Sequence, residues 1–186
     1  MTASTKSAFT LIEMLVIISV TLVLSTILIG YSRESSRQLL LINSQAKLVS
    51  LISRSKSLST ATFLENSSLP TGPSDPRICG YGIHLDQGAG EVFIFRDMAV
   101  NCSTSDKKFA LGDAKLSGQL DIFKMDKNTT QFADTTLSDV VFVPPDPTVV
   151  INGDGSVQEA VLGIELKDQS SKVIVKINNA GRISTR

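Results

Sequence analysis

The chain of 186 residues has no tryptophan, two tyrosines and eight phenylalanines. So few aromatic side chains exclude an aromatic platform for stacking nucleic-acid bases. Two cysteines and one histidine are too few for a disulfide-dense mini-protein or a histidine-rich metal centre. Basic and acidic side chains balance at 18 each, which rules out a generic basic nucleic-acid-binding domain. With 42% hydrophobic and 19% charged residues, the composition excludes a disordered chain. Only one segment is long and apolar enough to cross a bilayer, so a multi-span membrane protein is excluded too. Gly-x-Ser-x-Gly and phosphate-binding glycine loops are missing, and no carboxylate pair stands in a recognisable arrangement. Nothing in the sequence points to an enzyme.

The neutral total conceals two unlike parts. Residues 1–60 carry six basic and two acidic side chains, net +4, whereas residues 61–186 carry twelve and sixteen, net −4. The apolar segment lies in the positive part. Phe9 to Gly30 is 22 residues with a single charge, Glu13. As a helix it would span about 33 Å, against a hydrocarbon core of about 30 Å. It is longer than the apolar core of a secretory signal, and Tyr31-Ser32-Arg33-Glu34 offers no small-residue cleavage site. Glu13 is the anomaly. A carboxylate in such a helix costs roughly 2.5–3.5 kcal/mol near mid-membrane and less near the interface, so it calls for a partner.

Lys6-Ser7-Ala8, followed by Phe9-Thr10-Leu11-Ile12-Glu13 at the head of an apolar helix, resembles the processing site of type IV pilins and pseudopilins. The resemblance implies that a prepilin peptidase cuts between Ala8 and Phe9 and methylates the new amino terminus of Phe9. It implies a leader over 1–8, a pilin helix over 9–60 whose part 9–30 spans the cytoplasmic membrane, and a globular domain over 61–186 outside the cytoplasm. Glu13 is then placed to pair with the Phe9 amine of a neighbouring subunit, or with its own, and to set the stagger between subunits. The implied partners are the peptidase, other pilin or pseudopilin subunits, the filament assembly platform and the lipid bilayer. No cofactor is implied. The sequence departs from the family in having Ala8 where glycine is usual. Lys6 precedes the apolar run while Arg33 and Arg37 follow it, so orientation rests on the motif rather than on charge counting.

Helical character continues beyond Tyr31. Residues 33–59 contain no Pro or Gly, and Asn43, Lys47, Ser50, Arg54 and Ser57 draw one polar stripe at helical spacing. Leu39, Leu41, Ile42, Leu48, Val49, Leu51 and Ile52 form a wide apolar arc. A helix from Thr10 to Ser59 would be about 75 Å long, with Gly30 the place for it to bend or loosen. Residues 64–78 hold three of the six prolines and read as turns. Strands are then expected at Tyr81–Leu85, Glu91–Arg96, Gln119–Met125, Val140–Val143, Val149–Asn152, Ala160–Lys167, Lys172–Asn178 and Arg182–Thr185. The last three form a meander that one helix can cover. The expected fold is α+β: a long N-terminal helix packed on a mainly antiparallel β domain.

Val141-Phe142-Val143-Pro144, the Leu-Gly-Ile-Glu-Leu and Val-Ile-Val-Lys-Ile strands and the closing Ala-Gly-Arg-Ile are similar to the GspH/FimT-type minor pilin domain, whose hairpin glycine would be Gly181. Some FimT-like proteins bind DNA through arginines at this end. Here Arg182 and Arg186 are the matching candidates, with Ser184 where a second close arginine would stand and a net −4 domain to repel phosphates. DNA is thus the lesser expectation among partners, and a permanently anchored extracytoplasmic binding module is a further alternative. Given an extracytoplasmic domain, Cys79 and Cys102 are expected to form a disulfide, with two buried thiols or a metal pair as alternatives. His84 reads as a sheet or surface residue rather than a general base. Asn152-Gly153-Asp154-Gly155-Ser156, with Glu159 nearby, lacks the full ligand series of a calcium loop and reads as a tight turn. No metal site is expected.

Overall fold

Between Leu11 and Glu65 the chain has one glycine, Gly30, and no proline, so nothing forces a helix to stop. A computed structural model describes residues 10–65, 76–144 and 148–186, and in it this stretch is one helix, α1 (Leu11–Glu65). α1 passes through Gly30 unbroken. It also outruns the expected end at Ser59, because Thr60 to Glu65 contain no helix breaker. Leu64 and Glu65, expected in turns, are its last residues.

Two compact units divide the chain, Met1–Leu39 and Leu40–Arg186. In the first, every described side chain from Thr10 to Ser32 is exposed. In the second, α1 keeps its expected polar stripe exposed: Asn43, Lys47, Ser50, Arg54 and Ser57 all face solvent. The wide apolar arc separates into two. Leu41, Leu48, Leu51 and Ile52 are buried in the core, whereas Leu39 and Ile42 remain exposed.

The strands are β1 (Arg77–Asp86), β2 (Glu91–Ala99), β3 (Ala114–Lys115), β4 (Ile122–Lys124), β5 (Thr130–Ala133), β6 (Asp139–Val143), β7 (Thr148–Ile151), β8 (Glu159–Leu166), β9 (Lys172–Asn178) and β10 (Ile183–Thr185). All pairings are antiparallel. One sheet runs β3-β2-β1-β6-β7, with β4 also on β2; the other runs β10-β9-β8-β5. The fold is therefore α+β, a long N-terminal helix packed on antiparallel sheets. Tyr81, Ile83 and Leu85 of β1, Val92 and Ile94 of β2, and Val140 and Phe142 of β6 point into the main core with the α1 leucines. From the second sheet come Leu162, Ile164, Leu166, Val175 and Ile177.

Three corrections concern the strands. The expected strand Gln119–Met125 shrinks to β4, because Asp121 N–H bonds to Gly118 O and folds residues 118–121 into a turn. Asn152 leaves β7 for a turn, with φ at +52°, a conformation asparagine tolerates better than most residues. β3 and β5 were not expected at all. Each is short, and each is defined by its partner strand, β2 and β8, more than by its own pattern.

Gly163 of β8 lies opposite Ala133 of β5, and a Cβ there would fall 2.1 Å from Ala133 O. Gly163→Ala should cost about 1–3 kcal/mol in urea unfolding of the full chain in detergent, through overpacking. At Gly155 a Cβ meets nothing within 4 Å, and the same substitution there should shift stability by no more than about 0.5 kcal/mol.

Candidate functional site

The head of α1 is built by Thr10. Its Oγ1 accepts the Glu13 N–H at 3.3 Å, and its carbonyl accepts the Met14 N–H at 3.3 Å. Thr10 is thus the N-cap and Glu13 the third helical residue. Thr-x-x-Glu is the sequence signature of a capping box, a signal that the reading of Glu13 as an isolated charge passed over. The Glu13 carboxylate is exposed in the first turn, where the helix dipole favours a negative charge. Among the described residues no side chain reaches it. Ala8 and Phe9, the expected processing site, lie outside the described residues.

Beyond Glu13 the polar groups of the apolar run satisfy themselves. Ser19 Oγ donates to Leu15 O at 2.8 Å, Thr21 Oγ1 to Ile17 O at 2.9 Å, Ser25 Oγ to Thr21 O at 2.7 Å and Thr26 Oγ1 to Val23 O at 2.8 Å. Each hydroxyl is bonded to its own helix and makes no demand on the surroundings. Among the described residues, α1 is the helix long and apolar enough to cross a membrane.

The second unit carries a smaller apolar cluster on the other face of the first sheet. Phe93, Phe95 and Val141 are buried there, and Phe109 packs over them from the loop between β2 and β3. Phe109 meets Phe93 and Phe95 edge-on, with ring centroids 5.0 and 5.3 Å apart. Gly82 makes room, since a Cβ there would strike the Phe95 ring. A disulfide holds the start of the loop: Cys79 and Cys102 are bonded, with Cα atoms 5.1 Å apart. Cys79 sits where the β1–β2 register shifts.

His84 seals the edge of this cluster. Its ring lies against Phe93 and Phe109, and its Nδ1 is 2.8 Å from Asp139 Oδ1. The same carboxylate oxygen accepts the Phe109 N–H at 3.0 Å. Burial pushes the Asp139 carboxyl up, but the His84 ring and the Phe109 N–H outweigh it and hold the group below the usual carboxylate range. His84 is thus a sheet residue with a structural partner.

Asp97, Asp106 and Asp113 bring carboxylate oxygens within 4.8 Å of one another. Each is engaged by the loop. Asp97 accepts from Ser105 Oγ and from Lys107 Nζ, the latter at 3.0 Å. Asp106 accepts the Lys108 N–H at 3.1 Å, and Asp113 accepts the Met98 and Ala110 N–H groups at 2.8 Å. Burial raises the Asp113 carboxyl. The cluster braces the loop. The Asn152–Ser156 segment is likewise a turn: Asn152 Oδ1 accepts the Ser138 and Asp139 N–H groups at 2.8 and 3.1 Å, and Gly153 has φ at +71°.

Gly181, with φ at +70°, makes the turn before β10, and its carbonyl accepts from Lys56 Nζ at 3.3 Å. Arg182 and Arg186 are exposed and flank β10 on either side. Their backbones are fixed: Asn178 Oδ1 accepts the Arg182 N–H at 2.8 Å, and Arg186 pairs with Ile174 through both its N–H and its carbonyl.

No family model, curated protein or solved structure matches the chain.

Three outcomes follow from the loop-covered face. A group whose folded pKa is depressed stabilises the fold above its unfolded value, and that stability is lost as pH falls through the folded pKa. The urea midpoint should therefore fall on acidification below about pH 4. In Asp139→Asn, stability should be about 1–3 kcal/mol lower at neutral pH and its pH dependence shallower. Cys79→Ser with Cys102→Ser should lower stability by about 3 kcal/mol, and limited proteolysis should then cut first between residues 100 and 113.

Proposed function

We propose that this chain is a minor pilin or pseudopilin, a structural subunit of a type IV pilus or a type II secretion-type filament. The observation that carries the reading is the head of α1. A lone carboxylate, Glu13, stands in the first turn of a helix whose following side chains, to Ser32, are all exposed and mostly apolar, with no further charge. Immediately before it runs Lys6-Ser7-Ala8-Phe9-Thr10, the sequence that resembles a prepilin processing site. An exposed apolar surface of this length needs lipid or other helices around it.

On this reading a prepilin peptidase removes residues 1–8 and methylates Phe9. The processed chain waits in the cytoplasmic membrane as a single-pass protein with its β domain outside. An assembly platform then moves it into a filament, where α1 packs among the helices of other subunits. Glu13 takes the Phe9 ammonium of a neighbour as its counter-charge. That pair is worth most where water is excluded, because an unpaired carboxylate there is strongly disfavoured.

The test uses the chain expressed in a host with a prepilin peptidase. Intact mass of the purified protein should match a chain starting at Phe9 and carrying one methyl group. Glu13→Gln should leave that mass pattern and the β domain's unfolding midpoint unchanged, while recovery in sheared filaments should drop at least about tenfold. An uncut amino terminus would overturn the reading in favour of a permanently anchored binding module. Unchanged filament recovery in Glu13→Gln would overturn the role of Glu13.

A further inference from the structure

Between Leu11 and Ser59 α1 carries one aromatic residue, Tyr31, and the helix changes character there. Leu11 to Gly30 hold a single charge, Glu13, and are otherwise mostly apolar. Ser32 to Gln38 hold three charges and no apolar side chain. Tyr31 is 76% exposed, whereas Tyr81, the other tyrosine of the chain, is buried in the main core. Among the described residues, no hydrogen-bond partner reaches the Tyr31 hydroxyl. An open hollow beside the ring is lined by Leu28 and Ile29 toward the apolar run and by Ser32, Ser35 and Ser36 toward the polar segment.

A tyrosine ring is disfavoured in water and its hydroxyl is disfavoured in hydrocarbon, so an exposed tyrosine suits the boundary between the two. Tyr31 lies about 27 Å along the helix axis from Glu13 and about 30 Å from Leu11. A hydrocarbon core is about 30 Å thick. With the Tyr31 ring in one headgroup layer, Glu13 falls within a turn of the other, where water and the helix dipole can stabilise its carboxylate. The two residues oppose each other's displacement. A shift of the helix toward its Glu13 end pulls the Tyr31 hydroxyl into hydrocarbon. The reverse shift lifts the ring into water and draws Glu13 deeper into the bilayer.

We propose that Tyr31 is the depth anchor of α1: its ring sits in the phospholipid headgroup layer, and the stretch of helix between them holds Glu13 at the opposite boundary. Such an anchor presupposes the single-pass placement proposed above and names the residue that sets its depth. Interfacial side chains, more than the length of the apolar run, decide the depth and tilt of a membrane helix. Arg33 and Arg37 follow within two turns, but long basic side chains snorkel and so tolerate a shift of several ångströms. A rigid ring on a short stem does not. Removing Tyr31 should therefore let the helix slide even though both arginines remain.

The chain has no tryptophan, so tyrosine emission can be read from the full chain reconstituted in phosphatidylcholine vesicles. Lipids brominated near the headgroup end of the acyl chain should quench it about twice as strongly as lipids brominated near the chain terminus. Tyr31→Phe, which leaves Tyr81 alone, should remove that difference. A Leu22→Trp reporter, about 14 Å along the axis from Tyr31 and so near mid-bilayer, should be quenched best by the terminal bromine. Adding Tyr31→Ala to it should lower the terminal-bromine quenching about twofold as the helix slides. The anchor is overturned if Tyr31 emission is unquenched, or is quenched best by the terminal bromine, while the Leu22→Trp reporter is quenched. It is equally overturned if Tyr31→Ala leaves the reporter's profile unchanged. A Leu22→Trp reporter quenched by neither lipid would instead overturn the membrane placement itself, and the anchor with it.

Discussion

The second unit hangs on one line of α1. Leu41, Leu48, Leu51, Ile52, Ser55 and Ser59 are nearly or fully buried, and their spacing places them on a single helical face. The branched residues fill the core, while the serines toward the end keep that face narrow. Ser59 Oγ donates to Phe142 O at 2.6 Å, tying the helix to β6 in the first sheet. Gln45 Nε2 donates to Ile174 O at 3.2 Å, and Lys56 Nζ donates to Gly181 O, tying it to the second sheet. Both sheets are thus held by side chains of one helix bonding to their carbonyls. Ile174 O also takes the Arg186 N–H, so the Gln45 bond is an added tie, and the three bonds together link α1 to both sheets.

Among the described residues, no helix covers the other face of the first sheet. The face is apolar: Phe93, Phe95 and Val141 would otherwise meet water. The loop between β2 and β3 covers it, and a loop makes a poor cover unless something fixes its ends and its polar groups. The disulfide fixes one end. Asp97, Asp113 and Asp139 accept the hydrogen bonds of Ser105, Met98, Ala110 and Phe109 along its length. Lys107 balances the charge of Asp97. The buried carboxylates are therefore consequences of using a loop where a helix would need none. His84 belongs to the same device, since its ring closes the gap beside Phe109 and its nitrogen shares the Asp139 oxygen.

Much of the fold was legible because burial on one face leaves a regular pattern. Leu162, Ile164 and Leu166 alternate with Glu165 and with the turn residue Lys167, and Val175 and Ile177 alternate with Lys176; their strands fell nearly where expected. The polar stripe of α1 was equally plain. The second apolar face was missed although its signal was present. Val92-Phe93-Ile94-Phe95 and Val140-Val141-Phe142-Val143 are unbroken apolar runs, the mark of strands buried on both faces. β3 and β5 left no such mark, because strands of two and four residues are specified by the edge they join. At the head of α1 the motif and the lone charge were readable, and so was the Thr10–Glu13 cap. What could not be read is which atoms Asp139 and Asn152 bind, since their partners lie 13 to 55 residues away in sequence.

The two parts of α1 follow different rules, and the difference bears on how Glu13 can act. From Leu41 onward apolar residues are confined to faces, as in any helix that meets both a core and water. Before Ser32 they surround the helix, and its hydroxyls are closed onto its own carbonyls. A charge in the middle of that run would find no compensation from its own chain. Glu13 stands instead at the one place where the helix offers some, beside the unpaired N–H groups and the positive end of the dipole. In the headgroup region of a bilayer that compensation, together with water, is enough for an exposed carboxylate. Drawn into an apolar bundle, the same group loses the water and keeps only the dipole, so an external cation gains value. On the filament reading, the Phe9 ammonium of a neighbour therefore contributes little while subunits rest separately in the membrane. It contributes most once they pack, which is the dependence that assembly of a stable filament from a stable membrane pool requires.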